Sequence, residues 1–113
     1  MTSFVAINLF TVTPDKQHKL VEVMGQTITD DVASEGHPGV RNAFLYRSLD
    51  GSRVANITVW ASKDDFDTAH SLPSFPKALS RLAGIADSAD ANTYELTFEL
   101  IKPPPHEGVA RHR

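Results

Sequence analysis

Asn56 and Trp60 stand four residues apart in the run Val54-Ala55-Asn56-Ile57-Thr58-Val59-Trp60, which is otherwise β-branched or small. Such a run favours a strand, and alternation along a strand puts Val54, Asn56, Thr58 and Trp60 on one face. By strand rise, Asn56 and Trp60 are roughly 13 to 14 Å apart along the backbone, so they can line the two ends of one ring-sized cavity. An amide and an indole N–H both donate to carbonyl or phenolate oxygens, and the indole face stacks on an aromatic ligand. The chemistry is that of gripping a flat, oxygenated molecule. The same pair also fits an ordinary core indole and a satisfied amide, the commoner arrangement in strands. His70 adds an imidazole and so a candidate base, although a histidine ending a helix can equally satisfy the last carbonyls. Tyr46 shares a strand face with Phe44 and Asn42, where its hydroxyl either meets a ligand or stays wet.

Other chemistries lack their signatures. The five histidines, His18, His37, His70, His106 and His112, show no His-x-His, His-x-x-x-His or HExxH spacing, so no metal is expected. Neither a Walker pattern nor GxGxxG occurs, which leaves nucleotide and flavin binding without support, and no G-x-S-x-G elbow is present. The absence of cysteine removes disulfides, thiolate metal sites and Cys nucleophiles, and it suits a reducing compartment, the cytoplasm by default. Eleven Lys and Arg against fourteen Asp and Glu give a net charge of -3, with no electrostatic pull toward nucleic acid or anionic lipid. The first basic residue is Lys16, and Asn8 interrupts the opening apolar run, which fits neither a secretory leader nor a membrane span. At 113 residues with 41% hydrophobic content, the chain has room for one domain and the apolar material for its core.

The elements that must hold these residues follow from pattern. Phe4 to Val12 is apolar at nearly every position and reads as a strand covered on both faces. Thr13-Pro14-Asp15 supplies a capping hydroxyl, a first-turn proline and an acid at the positive end of a helix dipole. Leu20, Met24, Ile28 and Val32, joined by Val21 and Thr27, then give about five helical turns, ended by Gly36-His37-Pro38-Gly39. Val40 to Leu49 and Arg53 to Ala61 form an antiparallel pair around Asp50-Gly51. Ser62-Lys63-Asp64-Asp65 resembles a capping box and opens a short helix bearing Phe66 and Ala69, broken at Leu72-Pro73. A second helical piece after Pro76 carries Ala78, Leu79, Leu82, Ala83 and Ala86, and Asp87-Ser88-Ala89-Asp90 turns the chain. The last strand is expected from about Thr93 to Ile101, with Tyr94, Leu96, Phe98 and Leu100 on one face; a Pro-rich, flexible tail follows over 102–113. The order β-α-β-β-α-β predicts an α+β, ferredoxin-like domain over 1–101, a four-stranded antiparallel sheet with its helices on one face. The uncovered apolar face predicts a homodimer with two sheets facing each other.

Phe4 to Phe10, Pro38-Gly39, Arg47 to Trp60 and Ser62-Lys63-Asp64-Asp65-Phe66 together resemble the antibiotic biosynthesis monooxygenase family over about residues 3 to 100. The resemblance implies a dimeric α+β barrel and, in the best understood enzymes, oxidation of anthrone-like aromatic polyketides to quinones by dioxygen with no metal, flavin or haem. It implies that Asn56 binds and polarises a substrate carbonyl and that Trp60 contacts the rings and donates its indole N–H. Arg81 lies near a helical arginine of the family that would stabilise an enolate. Tyr46, Phe66 and Asn8 complete the expected substrate contacts. Some active members carry a tyrosine at the position of Phe66 and a histidine at that of Tyr46. A haem-degrading branch resembles the chain at Asn8 and Thr58-Val59-Trp60-Ala61-Ser62-Lys63, but Ala69 and Leu79 stand where it has a tryptophan and an axial histidine. A non-enzymatic small-ligand-binding dimer, and a polyketide cyclase using His70 as base, stay open as alternatives.

Overall fold

The computed structural model describes residues 4–35 and 39–105; the expected helix-ending Gly36-His37-Pro38 and the tail from 106 onward lie outside the described residues. Seven elements follow in order: β1 (Phe4–Thr11), α1 (Pro14–Glu35), β2 (Val40–Arg47), β3 (Arg53–Trp60), α2 (Lys63–His70), α3 (Ser74–Leu82) and β4 (Ser88–Glu95). The strands form one antiparallel sheet in the order β2-β3-β1-β4. This is the ferredoxin-like α+β arrangement expected from the sequence pattern, with the second helical region divided in two.

Register decides which side chains meet the helices. Asn8 pairs with Asn56 between β1 and β3, and with Ala91 between β1 and β4. Ala6, Asn8 and Phe10 therefore share a face with Val54, Asn56, Thr58 and Trp60, because directly paired residues point the same way. That face packs on α1, whose stripe Gln17, Leu20, Met24 and Thr27 is buried at helical spacing. Leu20 and Val54 are fully buried and join Phe10, Val12, Met24 and Leu82 in the core. Burying each such aliphatic side chain stabilises the fold by roughly 1.5 to 3 kcal/mol. The buried Gln17 instead ties the β2–β3 hairpin to α1, its Nε2 donating to Ser48 O at 3.0 Å and to Arg53 O at 2.9 Å.

The hairpin turn uses its Asp-Gly pair as expected. Gly51 adopts φ 82°, and Asp50 accepts from the Ser48 hydroxyl at 2.8 Å, the Ser52 hydroxyl at 2.7 Å and the Ser52 N–H at 3.0 Å. These bonds, those of Ser52 foremost, hold the Asp50 carboxyl down to about 2. At the start of α2, Ser62 caps the helix by accepting from the Asp65 N–H at 3.1 Å. Pro76 is accommodated in the first turn of α3, where its missing N–H has no intrahelical partner to lose.

The boundaries of α3 and β4 differ from the sequence expectation, and α3 already starts at Ser74, before Pro76. α3 stops at Leu82, because Ala83 is extended and Gly84 takes φ 89°, so Ala86 falls outside the helix. Asp87 N–H then bonds Thr11 O at 2.8 Å and starts β4, so Ser88 to Asp90 pair with β1 instead of turning the chain. β4 is thereby shifted toward the N-terminus of its expected span. Glu95 pairs with Phe4, and Leu96 to Ile101 continue beyond it without a partner strand among the described residues.

The second sheet face, away from the helices, is apolar and uncovered in the single chain. It presents Leu9, Phe44, Tyr46 and Tyr94, which are 39%, 44%, 57% and 48% exposed, and the Phe44 and Tyr46 rings stack at 6.4 Å. Among the described residues no helix is long and apolar enough to cross a membrane.

Candidate active site

Between the sheet and the helices lies a cavity of about 430 Å³, within the range of small-molecule sites. Its floor comes from β1 and β3, with Asn8, Asn56, Thr58 and Trp60 turned inward; Met24, Thr27, Ile28 and Asp31 of α1 form one wall. Phe66 and His70 of α2, then Phe75 and Leu79 of α3, form the other, and β4 contributes Ala91 to Thr93.

The polar floor is chemically unfinished. Asn8 and Asn56 are direct cross-strand partners, and the side-chain oxygens of both are buried without a hydrogen-bond partner. An unsatisfied buried polar atom costs about 1 to 3 kcal/mol, and buried groups of this kind normally find a partner. Both residues line the cavity, so its floor carries two amides whose hydrogen bonding the protein leaves incomplete. Turning either carboxamide end for end presents its NH2 instead, so the pair can also serve a carbonyl.

Trp60 is only 5% exposed, and its indole N–H donates to Thr58 Oγ1 at 2.7 Å. The expected direct donation from indole to ligand is therefore taken up within the protein. Because Oγ1 accepts that proton, the Thr58 hydroxyl hydrogen is left to donate into the cavity, polarised by the bond it accepts. Thr58 is a cavity-lining residue that sequence reasoning does not single out. Its shared face with Asn56 and Trp60 is readable from alternation, whereas its bond to the indole requires coordinates.

An aromatic cluster closes the Trp60 end. Phe66 meets Trp60 edge-on at 5.4 Å and Phe4 at 5.5 Å. His70 packs between Phe66 at 3.9 Å and Phe75 at 4.3 Å, with Trp60 at 6.0 Å. Gly39 sets how near α2 comes: it is buried, its carbonyl accepts from the Ala61 N–H at 2.8 Å, and a methyl group there would overlap Asp65 Cβ.

The structure thus brings Asn8, Asn56, Trp60, Phe66 and His70 together around one space and leaves two candidates outside it. Tyr46 pairs with Ala55, so it points to the opposite, open sheet face. Arg81 is exposed on the outer side of α3, where its Nη1 donates to Thr27 Oγ1 at 3.3 Å beside Glu22 and Gln26. Helical periodicity turns Leu82 inward and Arg81 outward.

The antibiotic biosynthesis monooxygenase family model matches residues 3–81. The chain belongs to the antibiotic biosynthesis monooxygenase family. That matched segment contains all five residues gathered at the cavity. Tetracenomycin-F1 monooxygenase of Streptomyces glaucescens is 36% identical over 70 residues, which are 62% of this chain and 61% of that protein. The fold is shared with a monooxygenase from ActVA-Orf6 of Streptomyces coelicolor, solved in complex with nanaomycin D, at a TM-score of 0.74 and 26% identity over 90% of this chain and 94% of that one. SnoaB, a cofactor-independent oxygenase from Streptomyces nogalater, superimposes at a TM-score of 0.70 and 20% identity, covering 90% of this chain and all of that chain. The sheet and helix arrangement is therefore shared with these solved structures even where few residues are identical.

Proposed function

We propose that this chain is a cofactor-independent monooxygenase that oxidises an aromatic, polyketide-type substrate with dioxygen, an anthrone going to a quinone. The observation that carries the reading is the cross-strand amide pair Asn8 and Asn56, whose side-chain oxygens are buried without a partner, on the floor of a cavity lined for the most part by apolar and aromatic groups. Such a surface is complementary to a planar molecule with hydroxyl or carbonyl groups on its edge. Membership of the family, and the monooxygenases among its relatives, support the reaction class.

The chemistry needs an electron-rich substrate more than it needs a redox group. Loss of one proton from the reactive CH2 of an anthrone leaves its electron pair delocalised over the carbonyl and rings. This anion reduces and captures dioxygen, forming a C–O bond and a peroxide anion, which takes up a proton. Loss of the second C–H proton then breaks the O–O bond, giving the quinone carbonyl and hydroxide, which leaves with that proton as water. One oxygen atom enters the product and one becomes water. The protein's share is to orient the rings, exclude water and place donors where negative charge grows. Asn8 and Asn56 hold the oxygenated edge, the Thr58 hydroxyl donates to developing oxyanion charge, and Trp60 with Phe66 encloses the rings.

The active species is proposed to be a homodimer joined through the apolar open face, since monomeric proteins seldom leave so continuous an apolar patch in water. Dioxygen uptake and product analysis with a hydroxyanthrone test the enzymatic reading. One dioxygen consumed per quinone formed, well above the spontaneous rate, is expected; cyclisation without uptake, or binding without turnover, would replace it.

A further inference from the structure

Removal of a substrate proton requires an acceptor, and the titratable side chains lining the cavity among the described residues are His70 and Asp31. Asp31 lies on α1 and is no part of the aromatic cluster, whereas His70 stands within that cluster at the end of α2. His70 Nδ1 is 2.8 Å from the backbone oxygen of Phe66. A carbonyl oxygen can only accept, so this contact requires the hydrogen to be on Nδ1. A neutral imidazole carries one N–H, and the bond therefore fixes Nε2 as the nitrogen with the free lone pair. Phe66 and Phe75 pack against the ring, with centroids at 3.9 and 4.3 Å.

We propose that His70 is the proton acceptor of this site, acting through Nε2 with Nδ1–H anchored on the Phe66 carbonyl. The proposal rests on the oxygenase reading for its substrate. In the step, the substrate C–H or phenolic O–H bond breaks, its electron pair stays on the substrate and the proton moves to Nε2. The resulting imidazolium keeps its Nδ1–H bond and returns the Nε2 proton to the peroxide. The helix-end carbonyl contact thus selects the tautomer and leaves the other nitrogen to do chemistry.

The tautomer is tested on the free protein by long-range proton–nitrogen NMR of the His70 ring near neutral pH. A protonated Nδ1 and an unprotonated Nε2 are expected, and the reverse pattern overturns the proposal. The proton transfer is tested with 2-hydroxyanthraquinone, whose absorption moves to the red on ionisation, at a pH just below the free dye's own ionisation. Wild-type protein should bind the dye in its ionised form, while His70→Asn, which keeps an N–H able to reach the Phe66 carbonyl, should bind it neutral. With a hydroxyanthrone, His70→Asn should lose roughly 10²-fold or more in kcat, the usual share of a general base, and added imidazole should restore part of it. Undiminished kcat in His70→Asn overturns the assignment even where wild-type turnover confirms an oxygenase. Dye ionised in a His70-dependent way without any dioxygen uptake would instead uphold the acceptor and overturn the oxidation.

Discussion

Asn8 and Asn56 illustrate how a side chain can be identified from sequence while its hydrogen bonding stays hidden. Asn56 is legible because strand alternation sets it on one face with Trp60, four residues on. That it pairs across the strands with Asn8, and that neither side-chain oxygen finds a partner, depends on the β1–β3 register, which is set by the whole sheet. Thr58→Val keeps the shape and removes the hydroxyl, so kcat with a hydroxyanthrone should fall roughly 10²-fold, the scale seen when one preorganised donor is removed, with little change in KM. Trp60→Phe should act in the same direction, since the Thr58 hydroxyl loses the indole bond that orients it; steady-state dioxygen uptake reads both. Arg81→Ala should leave kcat within about twofold, because Arg81 is exposed and does not line the cavity. A large loss there would mean that the helix turns inward in the working enzyme.

At the scale of elements, α2 positions Phe66 and His70, and its approach depends on Gly39. Gly39→Ala forces a methyl group against Asp65 Cβ and must displace the start of α2 or of β2. The expected result is a folded protein, by circular dichroism, with reduced turnover and a lowered melting temperature. The hairpin makes a pH prediction. Asp50 is held down to about 2 by bonds from Ser52 and Ser48, against 3.8 for the free group. A group with a depressed folded-state value contributes stability that is fully present above its unfolded value and fades as pH falls through the folded one. Urea unfolding at pH 5 and near pH 2 should therefore show a smaller loss of stability in Asp50→Asn than in wild type. β1, α1 and the hairpin were readable because periodicity, capping residues and Asp-Gly agree locally. β4 was misplaced because Leu96 to Leu100 alternate cleanly while Ser88 to Asn92 do not, and only pairing with β1 makes the polar stretch a strand.

For the whole molecule, the open sheet face and the segment after β4 leave much apolar surface in water: Phe98 and Leu100 are 81% and 80% exposed in the single chain. Sedimentation velocity at micromolar concentration should give a species of twice 12.4 kDa. Placing charges on the face, as in the double substitution Phe44→Glu with Tyr46→Glu, should shift it to the monomer; a wild-type monomer would contradict the dimer. The apolar face was legible in outline from β1, which reads as greasy on both sides. Which strands flank it, and that Tyr46 belongs to it instead of to the cavity, came from the sheet order and register.

The central claim is that two paired amides in an apolar cavity demand an oxygenated ring. Calorimetric titration of 2-hydroxyanthraquinone against unsubstituted anthraquinone tests it most directly, because a site built around polar groups rejects the analogue that leaves them unpaired. The account predicts at least tenfold tighter binding of the hydroxylated ring to wild type and loss of that preference in Asn56→Leu. Equal affinities in wild type, or a preference that survives the substitution, would contradict it.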